Sequence, residues 1–537
     1  MINLIIPPVS DCFMPTLGAA QLAGYLKKND IKCRLYDASA EFFYNLFRSD
    51  IQQSEYQKFT FKGLCACLDR FSANFEELDI KIDGFETNFS WKDEERVSKY
   101  IDEESVFTRE LEKLSLVCEK ENDTGEQKYY GFSISYECQV IPALLLAKII
   151  KKKRRDAKIC IGGSLLYNYE NDFYKLFYAS ELIDILIVGA GEEVLKYIGL
   201  GELKNLKKLV GIKISVIQDR YIIDTRGLKS NPIVYEPDFS DICFEYYPSD
   251  EKAFPYMIKD RCYYGKCCFC NGDRVGEQKI VKNITTAFRF IEKIAVNIGI
   301  KNVYIVDAAL SPKDFKEISG LMTGPTISWI ANGRFEKQLR DEKLISKLSE
   351  KGCVMLRFGL ESASPKVLDL MNKGVDISVA EDILNMTARY GIKNHVYLMF
   401  GYPGETRADR KMTLDFLERN KAVISSYSVS VFQPVPGTKV YQELLEEAGE
   451  WGNAYDRIMD RLYPEAHYNE IYEDISSLNN LLRGYVRTNL EYYSANIFNT
   501  AYGDEEEKHF SGKDILTAEE KVNIEMSIQF SPKKNDG

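Results

Sequence analysis

Arg261 to Cys270 reads RCYYGKCCFC and follows an apolar stretch, Tyr256 to Lys259, with the character of a short strand. No helical pattern begins directly after it, so the cysteines lie on a loop at a strand's carboxyl end. Thiolates are soft ligands suited to zinc or to iron–sulfur clusters. Cys262, Cys267 and Cys270 are spaced C-x4-C-x2-C, without the second downstream pair that a four-ligand zinc site usually wants. Cys268 adjoins Cys267 and would struggle to reach the same metal. Three thiolates on a four-iron cluster leave one iron open, which is useful only if a cofactor or substrate binds there. Spacing alone favours iron–sulfur over zinc and leaves zinc as the alternative.

Working outward, apolar runs at Asn302 to Val306, Ile327 to Ala331, Val354 to Gly359, His395 to Phe400 and Tyr427 to Phe432 alternate with helical patterns such as Thr285 to Ile298 and Val379 to Tyr390. With Tyr256 to Lys259 this predicts a six-stranded parallel α/β unit of the open-barrel kind. Upstream, a second alternation predicts another parallel sheet covered on both faces. Its strands are Asn3 to Pro8, Cys33 to Ala38, Tyr129 to Ser135, Lys158 to Ser164 and Asp184 onward, with helices at Leu17 to Lys28 and Val140 to Lys151. Gly211 to Gly227 reads as a hairpin around Asp219-Arg220. Phe42 to Asn122 is an acidic, aromatic insertion with no clear period. Gly131, Gly162-Gly163 and Gly189-Ala190-Gly191 fall near strand carboxyl ends, where open parallel sheets bind ligands. Each could equally be a tight strand-to-helix turn. No GxGxxG follows the first strand, which weakens a nicotinamide-dinucleotide site.

The expected organisation is therefore a first domain over 1–227 with its insertion at about 42–122, a Pro-containing linker over 228–255, a second domain over 256–445, and a helical, acidic and aromatic region over 446–537 ending in a disordered tail. The chain has 537 residues and a formal net charge of -11, which argues against a general nucleic-acid binder. No signal peptide and no membrane-length apolar run is evident, so a cytoplasmic protein without a membrane or nucleic-acid partner is expected. Most of the 13 cysteines stand singly in apolar contexts and read as buried structural thiols. Cys65 and Cys67 are two apart, with no obvious partners for a metal.

CYYGKCCFC resembles the cluster loop of radical S-adenosylmethionine (SAM) enzymes, in a spaced variant of their usual C-x3-C-x2-C. Further segments resemble that family's motifs in the expected order: VYIVDAAL (Val303 to Leu310), ANGRFEK (Ala331 to Lys337), RFGLESASPKVLDLMNKG (Arg357 to Gly374), MFGYPGET (Met399 to Thr406) and FQPVPGTKVY (Phe432 to Tyr441). The resemblance implies a partial (β/α)6 TIM barrel holding a 4Fe-4S cluster on Cys262, Cys267 and Cys270, with SAM chelating the open iron. By the same resemblance Phe269 helps position the adenine, Glu361 bonds the ribose or methionine part and Gly401 gives backbone room, while Asp307 and Arg334 are weaker candidates near SAM. Cys268 departs from the pattern.

The upstream α/β domain resembles the Rossmann-like cobalamin-binding module of this superfamily. The matching pieces are LIIPP, PTLGAAQLAGYLK (Pro15 to Lys27), GFSIS (Gly131 to Ser135), CIGGS (Cys160 to Ser164), VGAGEEVL (Val188 to Leu195) and EPDFSDI (Glu236 to Ile242). This implies cobalamin contacts from Pro7, Pro8, Gly131, Ser133, Gly162, Gly163, Gly189, Gly191 and Glu192. The only histidines are His395, His467 and His509, so cobalamin would bind base-off with no His ligand.

The resemblance implies a cobalamin-dependent C-methyltransferase acting on an unactivated carbon of a peptide or small natural product, with an external electron donor such as flavodoxin or ferredoxin. Alternatives are the same cofactors used for cyclisation, rearrangement or epimerisation, and a methylthiotransferase, which would want a further cysteine cluster and a basic tail. The non-enzyme alternative is a zinc-stabilised binding module.

Overall fold

The computed structural model describes residues 1–448 except 11–13, 51–60, 73–77, 82–83, 88, 119–126, 168, 229–234, 249–251, 272–281 and 322–326, and beyond them Ile458, Leu462, 469–471, 473–475 and 486–487. The chain divides into two units, Met1–Pro255 with Lys293–Ile300, and Tyr256–Glu292 with Lys301–Gly537.

The first unit is built on a seven-stranded sheet. Its strands are β1 (Ile2–Ile6), β2 (Cys33–Asp37), β5 (Tyr129–Ser133), β6 (Lys158–Gly162), β7 (Ile185–Val188), β8 (Lys213–Ile217) and β9 (Arg220–Asp224), in the order β2-β1-β5-β6-β7-β9-β8. A separate antiparallel ribbon pairs β3 (Leu78–Lys81) with β4 (Gly84–Thr87). Pairing from β2 through β9 is parallel, and only β8 runs back against β9. β1 and β7 are buried at every position and, Asn3 apart, apolar, as strands covered on both faces are. The hairpin turns at Gln218-Asp219, both with positive φ (49° and 61°), the backbone form of a two-residue turn whose twist matches the strands.

The insertion is more regular than its sequence suggests. It opens with a helix over Ala38–Asp50 that continues from β2 and buries Phe42, Phe43, Leu46 and Phe47. Helices follow at Phe61–Ser72, Glu94–Asp102 and Val106–Leu111. Phe107 meets Phe42 edge-on at 5.3 Å, so the aromatics are core. Several short helices joined by loops dilute any single period. Cys67 is buried among them. Tyr235 to Ile242, after the hairpin, folds back on the first unit, with Lys27 in the helix Leu17–Lys28 paired to Asp238 at 2.9 Å and Asp241 at 3.0 Å.

The second seven-stranded sheet is a half-barrel that runs in sequence order, its first strand β10 (Ala253–Tyr256) lying at the boundary of the two units, followed by β11 (Asn302–Ile305), β12 (Ser328–Gly333), β13 (Cys353–Glu361), β14 (Lys393–Phe400), β15 (Ser426–Val431) and β16 (Val486–Arg487). Pairings from β11 to β16 are parallel. Helices Ile284–Ile298, Pro312–Ser319, Glu342–Glu350, Ile377–Arg389 and Arg407–Asn420 return the chain between strands. One face of the sheet is apolar and buried, with Val303, Ile305, Leu356, Phe358, Val396 and Val429. The other carries half-buried polar side chains.

β10 ends three residues before the sequence predicts. Asp307, just beyond β11, accepts the amides of Ile258 (2.7 Å) and Lys259 (2.8 Å), drawing them out of the strand ladder. A seventh strand, β16, adds to the six predicted. The described pieces at 469–471 and 473–475 are helical. The charge run Asp504 to Lys508, the disorder expected of the final residues, His467 and His509 all lie outside the described residues. No helix among the described residues is long and apolar enough to cross a membrane.

Candidate functional site

The cysteine loop is pinned before it holds anything. The Cys268 amide donates to Met371 O (2.9 Å), and its carbonyl accepts from the Val440 amide (3.1 Å). Tyr264 Oη donates to Asn372 O (2.9 Å), and Asn372 Nδ2 donates to Lys266 O (3.0 Å). These bonds hold the loop's backbone against the segment around Met371 and Asn372. Cys262 and Cys267 are half-buried and Cys270 is exposed, whereas Cys268 is buried against Val367, Met371, Tyr402 and Phe432. Cys268, which the sequence leaves without a role, is a core residue.

Among the described residues no three His, Cys, Asp or Glu side chains converge closely enough to hold a single metal ion. A structural zinc ion draws four donors onto one point, whereas a four-iron cube takes its thiolates at separate corners. Three thiols of one pinned loop, at least partly exposed, are the donor set such a cube takes. Cationic groups offset the charge three thiolates would carry. Arg334 Nη1 lies 3.8 Å from Cys267 Sγ, and the Arg334 guanidinium sits over the Tyr264 ring at 3.5 Å and donates to Lys373 O. Burial raises the Cys267 thiol pKa, and Lys373 and Arg334 oppose that rise.

The other residues expected around SAM are gathered at the same end of the sheet. Glu361 closes β13 with φ 63°, where the pairing with β14 shifts register, and this turns its side chain onto Lys373 Nζ at 2.7 Å. Gly359 is obligatory beside this pair, since a Cβ there would meet Glu361 Oε1 at 2.5 Å and Lys373 Nζ at 2.7 Å. Lys373 Nζ also stands 5.6 Å from the Phe269 ring, which meets Tyr402 edge-on. Gly401, after β14, has φ 76° and donates its amide to Glu405 Oε2 at 2.6 Å. Asp307 is spent on the backbone of Ile258 and Lys259. Lys373, Tyr264, Asn372 and Glu405 were missed as individual residues, although the MNKG and PGET segments that carry them were singled out.

Glu405 is nearly buried and its carboxyl is raised to about 7, chiefly by desolvation, with the Gly401 amide and Arg410 opposing. Such a carboxyl stays protonated in the folded chain where the unfolded chain has already ionised. It therefore weakens the fold as pH climbs from 4.5 to about 7, and not below or above that window. Glu405→Gln keeps an oxygen for the Gly401 amide and removes the titration. Urea midpoints measured across this window should then fall less steeply with pH than in the parent, by up to about 1.4 kcal/mol per pH unit. An unchanged slope would show that Glu405 does not titrate there.

In the first unit, Pro7-Pro8, Ser133, Gly162-Gly163 and Gly189 to Glu192 follow or end β1, β5, β6 and β7, neighbours in the sheet, so they share its carboxyl edge. Gly131 lies within β5 against Leu4. Gln139 ties two of these loops, donating to Pro7 O (3.0 Å) and accepting from the Ser135 amide (2.8 Å). Glu192 Oε1 accepts from Tyr235 Oη, while its buried Oε2 has no hydrogen-bond partner among the described residues. That orphaned acceptor at the carboxyl edge fits a ligand bearing amide donors, as the corrin side chains of cobalamin do. The glycines differ among themselves. A Cβ on Gly163 (φ 122°) would stand 2.1 Å from Ile134 O, whereas one on Gly191 meets nothing nearer than 3.8 Å. Gly163→Ala should therefore destabilise the fold by about 1–3 kcal/mol from φ alone, before the clash is counted. Gly191→Ala should stay within about 0.5 kcal/mol. Thermal melts of the two variants check this, and an equal loss in both would contradict it.

The radical SAM superfamily model matches residues 256–417, which include the cysteine loop, Arg334, Glu361, Lys373 and Glu405. This stretch is a radical SAM domain. Over 314 residues the chain resembles an uncharacterised methyltransferase of Pyrococcus horikoshii, 24% identical across 56% of this chain and 66% of the relative. It also resembles the bacteriochlorophyllide d C-12(1)-methyltransferase of Chlorobaculum tepidum, 24% identical over 45% of this chain and 54% of the relative. The chain thus spans less than two thirds of the length of either. Among solved structures, the radical SAM methyltransferase TsrM from Kitasatospora setae, with cobalamin and a 4Fe-4S cluster bound, has the same fold: TM-score 0.51, 15% identity, covering 83% of this chain and 78% of that one.

Proposed function

We propose that this protein is a cobalamin-dependent radical SAM C-methyltransferase acting on a small-molecule or peptide substrate, supplied with electrons by an external donor. The observation that carries the reading is the radical SAM domain with three pinned, accessible thiols and a fourth turned into the core, preceded by an α/β unit with an orphaned carboxylate oxygen at its carboxyl edge. Cys262, Cys267 and Cys270 would hold a 4Fe-4S cluster, with SAM lying among Phe269, Glu361 and Gly401. The loops at Pro7-Pro8, Ser133, Gly162-Gly163 and Gly189 to Glu192 would hold cobalamin, without a His ligand from this unit. When bound, these groups supply reductive cleavage of SAM and carriage of a methyl group.

The chain's own residues do the rest. Arg334 and Lys373 balance thiolate charge at the loop. Lys373 orients Glu361, and Glu405 holds the Gly401 backbone through its amide. Two methyltransferases among the relatives support methyl transfer over rearrangement. The test supplies the substrate with methyl-labelled SAM. Label in the product, with S-adenosylhomocysteine and 5′-deoxyadenosine both formed, is the expected result. A modified product without label would replace methyl transfer with cyclisation or rearrangement.

A further inference from the structure

The two edges of the first unit's sheet differ. At the β2 edge the Leu35 amide donates to Asp241 Oδ2 (3.1 Å), in the segment that folds back after the hairpin. At the other edge β8 pairs with β9 alone among the described strands. The β8–β9 register runs without a shift from Lys213 opposite Asp224 to Ile217 opposite Arg220. In a hairpin closed by two residues the pair flanking the turn, here Ile217 and Arg220, is hydrogen-bonded, and bonded and non-bonded pairs alternate from there. Ile214 and Val216 fall in the non-bonded pairs, opposite Ile223 and Tyr221. Tyr221 accordingly turns its amide away from β8 and donates to Asp184 O (2.8 Å), just before β7. Ile214 and Val216 turn theirs the opposite way, so the N–H and C=O groups of both face the open edge, and none bonds to a described backbone group. Open edges are usually guarded by charges along the strand, a proline or a bulge. β8 instead carries Ile214, Val216 and Ile217, with one charge, Lys213, at its start.

The side chains of the same two residues line an open cleft of about 370 Å³. Its walls are Ile214, Val216, Tyr221 and Ile223 from the hairpin, and Lys204 and Lys207 from the 3-10 helix Leu203–Lys208. Val216 is 49% exposed and Val210, on the way into β8, 81%, so apolar surface stays in water beside the open backbone groups. Lys204, Lys207 and Lys208 are exposed, and none is in an ion pair with a described residue. Glu202, the nearest acid in sequence, is bonded to Asn205 instead (2.9 Å). These lysines, all within LKNLKK, stand out in a chain of net charge -11. An apolar cleft with a cationic rim beside an open row of backbone donors and acceptors suits an added strand. Backbone bonds supply the attachment, and alternate side chains and charge supply the selectivity.

We infer that the β8 edge and its cleft are a docking site for an extended acidic peptide segment. The segment adds antiparallel to β8, sets apolar side chains opposite Ile214 and Val216 on the cleft face, and answers Lys204 and Lys207 with carboxylates. Residues directly opposite Ile214 and Val216 in an antiparallel strand are those whose own N–H and C=O groups turn toward β8. The bonding residues of the peptide are therefore its apolar ones. A second copy of the chain offering the same edge would bring a second set of lysines to the first, which charge opposes. A lipid surface would use the lysines and the apolar side chains but leave the backbone row unbonded. The inference lies wholly within the first unit and does not rest on the radical SAM reading.

The probe is fluorophore-labelled Asp-Glu-Val-Glu-Ile-Glu-Asp-amide, titrated with the full-length protein and read by fluorescence anisotropy. Saturable binding is expected, and replacing every acid of the peptide with lysine should weaken it by about ten-fold or more. N-methylation of the valine and the isoleucine, whose amides would bond to β8, should also cost about ten-fold, whereas N-methylation of the glutamate between them should change little. On the protein, Val216→Pro removes an outward N–H and leaves the ladder to β9 intact, so it should weaken the peptide to a similar degree. Since that change could disturb the hairpin, the exposed pair Lys204→Glu with Lys207→Glu gives a second variant, which should reverse the preference between the acidic and the lysine peptide. In the unaltered protein, hydrogen–deuterium exchange across Lys213–Ile217 should slow when the acidic peptide is added. Absence of saturable binding, or binding that survives both variants, overturns the site. Binding indifferent to N-methylation, or lost through the glutamate amide instead, overturns antiparallel strand addition. Dimers that dissociate in Val216→Pro would give the edge to a second copy, and a preference for phosphatidylserine vesicles over the peptide would give it to a lipid surface. Either overturns the peptide assignment.

Discussion

Replacing any one of Cys262, Cys267 and Cys270 with Ala should remove the iron–sulfur cluster altogether, with iron and sulfide falling from a full complement to background in anaerobically reconstituted protein. Three thiolates leave no spare ligand, and the fourth thiol nearby cannot substitute. Cys268 is buried in a core with Val367, Met371 and Phe432, and its backbone is bonded on both sides, to Met371 and Val440. Cys268→Ala should keep its cluster and lose only packing, about 1 kcal/mol for a small buried group. The contrast between these variants is the useful result. A Cys268 variant that lost iron while the Cys267 variant kept it would reverse the ligand assignment.

The second large effect concerns the pair beneath the loop. Lys373 and Glu361 are both nearly buried and joined at 2.7 Å. Removing one partner of such a pair leaves a buried, uncompensated charge, so Lys373→Met should cost about 3–5 kcal/mol. Glu361→Gln added to Lys373→Met should recover much of that loss, because no charge is then stranded. Denaturant titration of the single and double variants gives the coupling directly. Additive losses would show that the two side chains do not depend on each other. Glu361 is held at a positive φ, so part of the domain's stability is already given up to aim this carboxylate.

The architecture was largely legible in the sequence, for a physical reason. Strands buried on both faces, such as Ile2–Ile6 and Ile185–Val188, are apolar or nearly so along their length, and the amphipathic helices between them carry their own period. The places where the reading fell short involve partners far apart in the chain. The end of β10 is set by Asp307, some fifty residues on, which no local pattern in Tyr256 to Lys259 announces. The insertion is divided among helices of 13, 12, 9 and 6 residues and a two-stranded ribbon, so no single period runs through it, and its aromatic packing, Phe42 on Phe107, is tertiary.

The site shows the same division. The cysteine spacing identified the three candidate ligands, but adjacency could not say which way Cys268 points. That is decided by Met371 and Val440, which reach it from elsewhere in the domain. Lys373 lies in a segment already recognised, yet its pairing with Glu361 depends on the register shift at the end of β13. The glycines near the strand ends look alike in sequence. Only the backbone of Ile134 shows that Gly163 is demanded by the protein itself, while Gly191 has room to spare.

Electron paramagnetic resonance of the reduced, anaerobically reconstituted protein, recorded with and without SAM, tests the central claim most directly. A reduced 4Fe-4S signal whose g-values shift on addition of SAM is the predicted result, because the iron left open by Cys262, Cys267 and Cys270 is the one SAM would occupy. Stoichiometric zinc with no iron–sulfur signal, or a cluster signal indifferent to SAM, would contradict it.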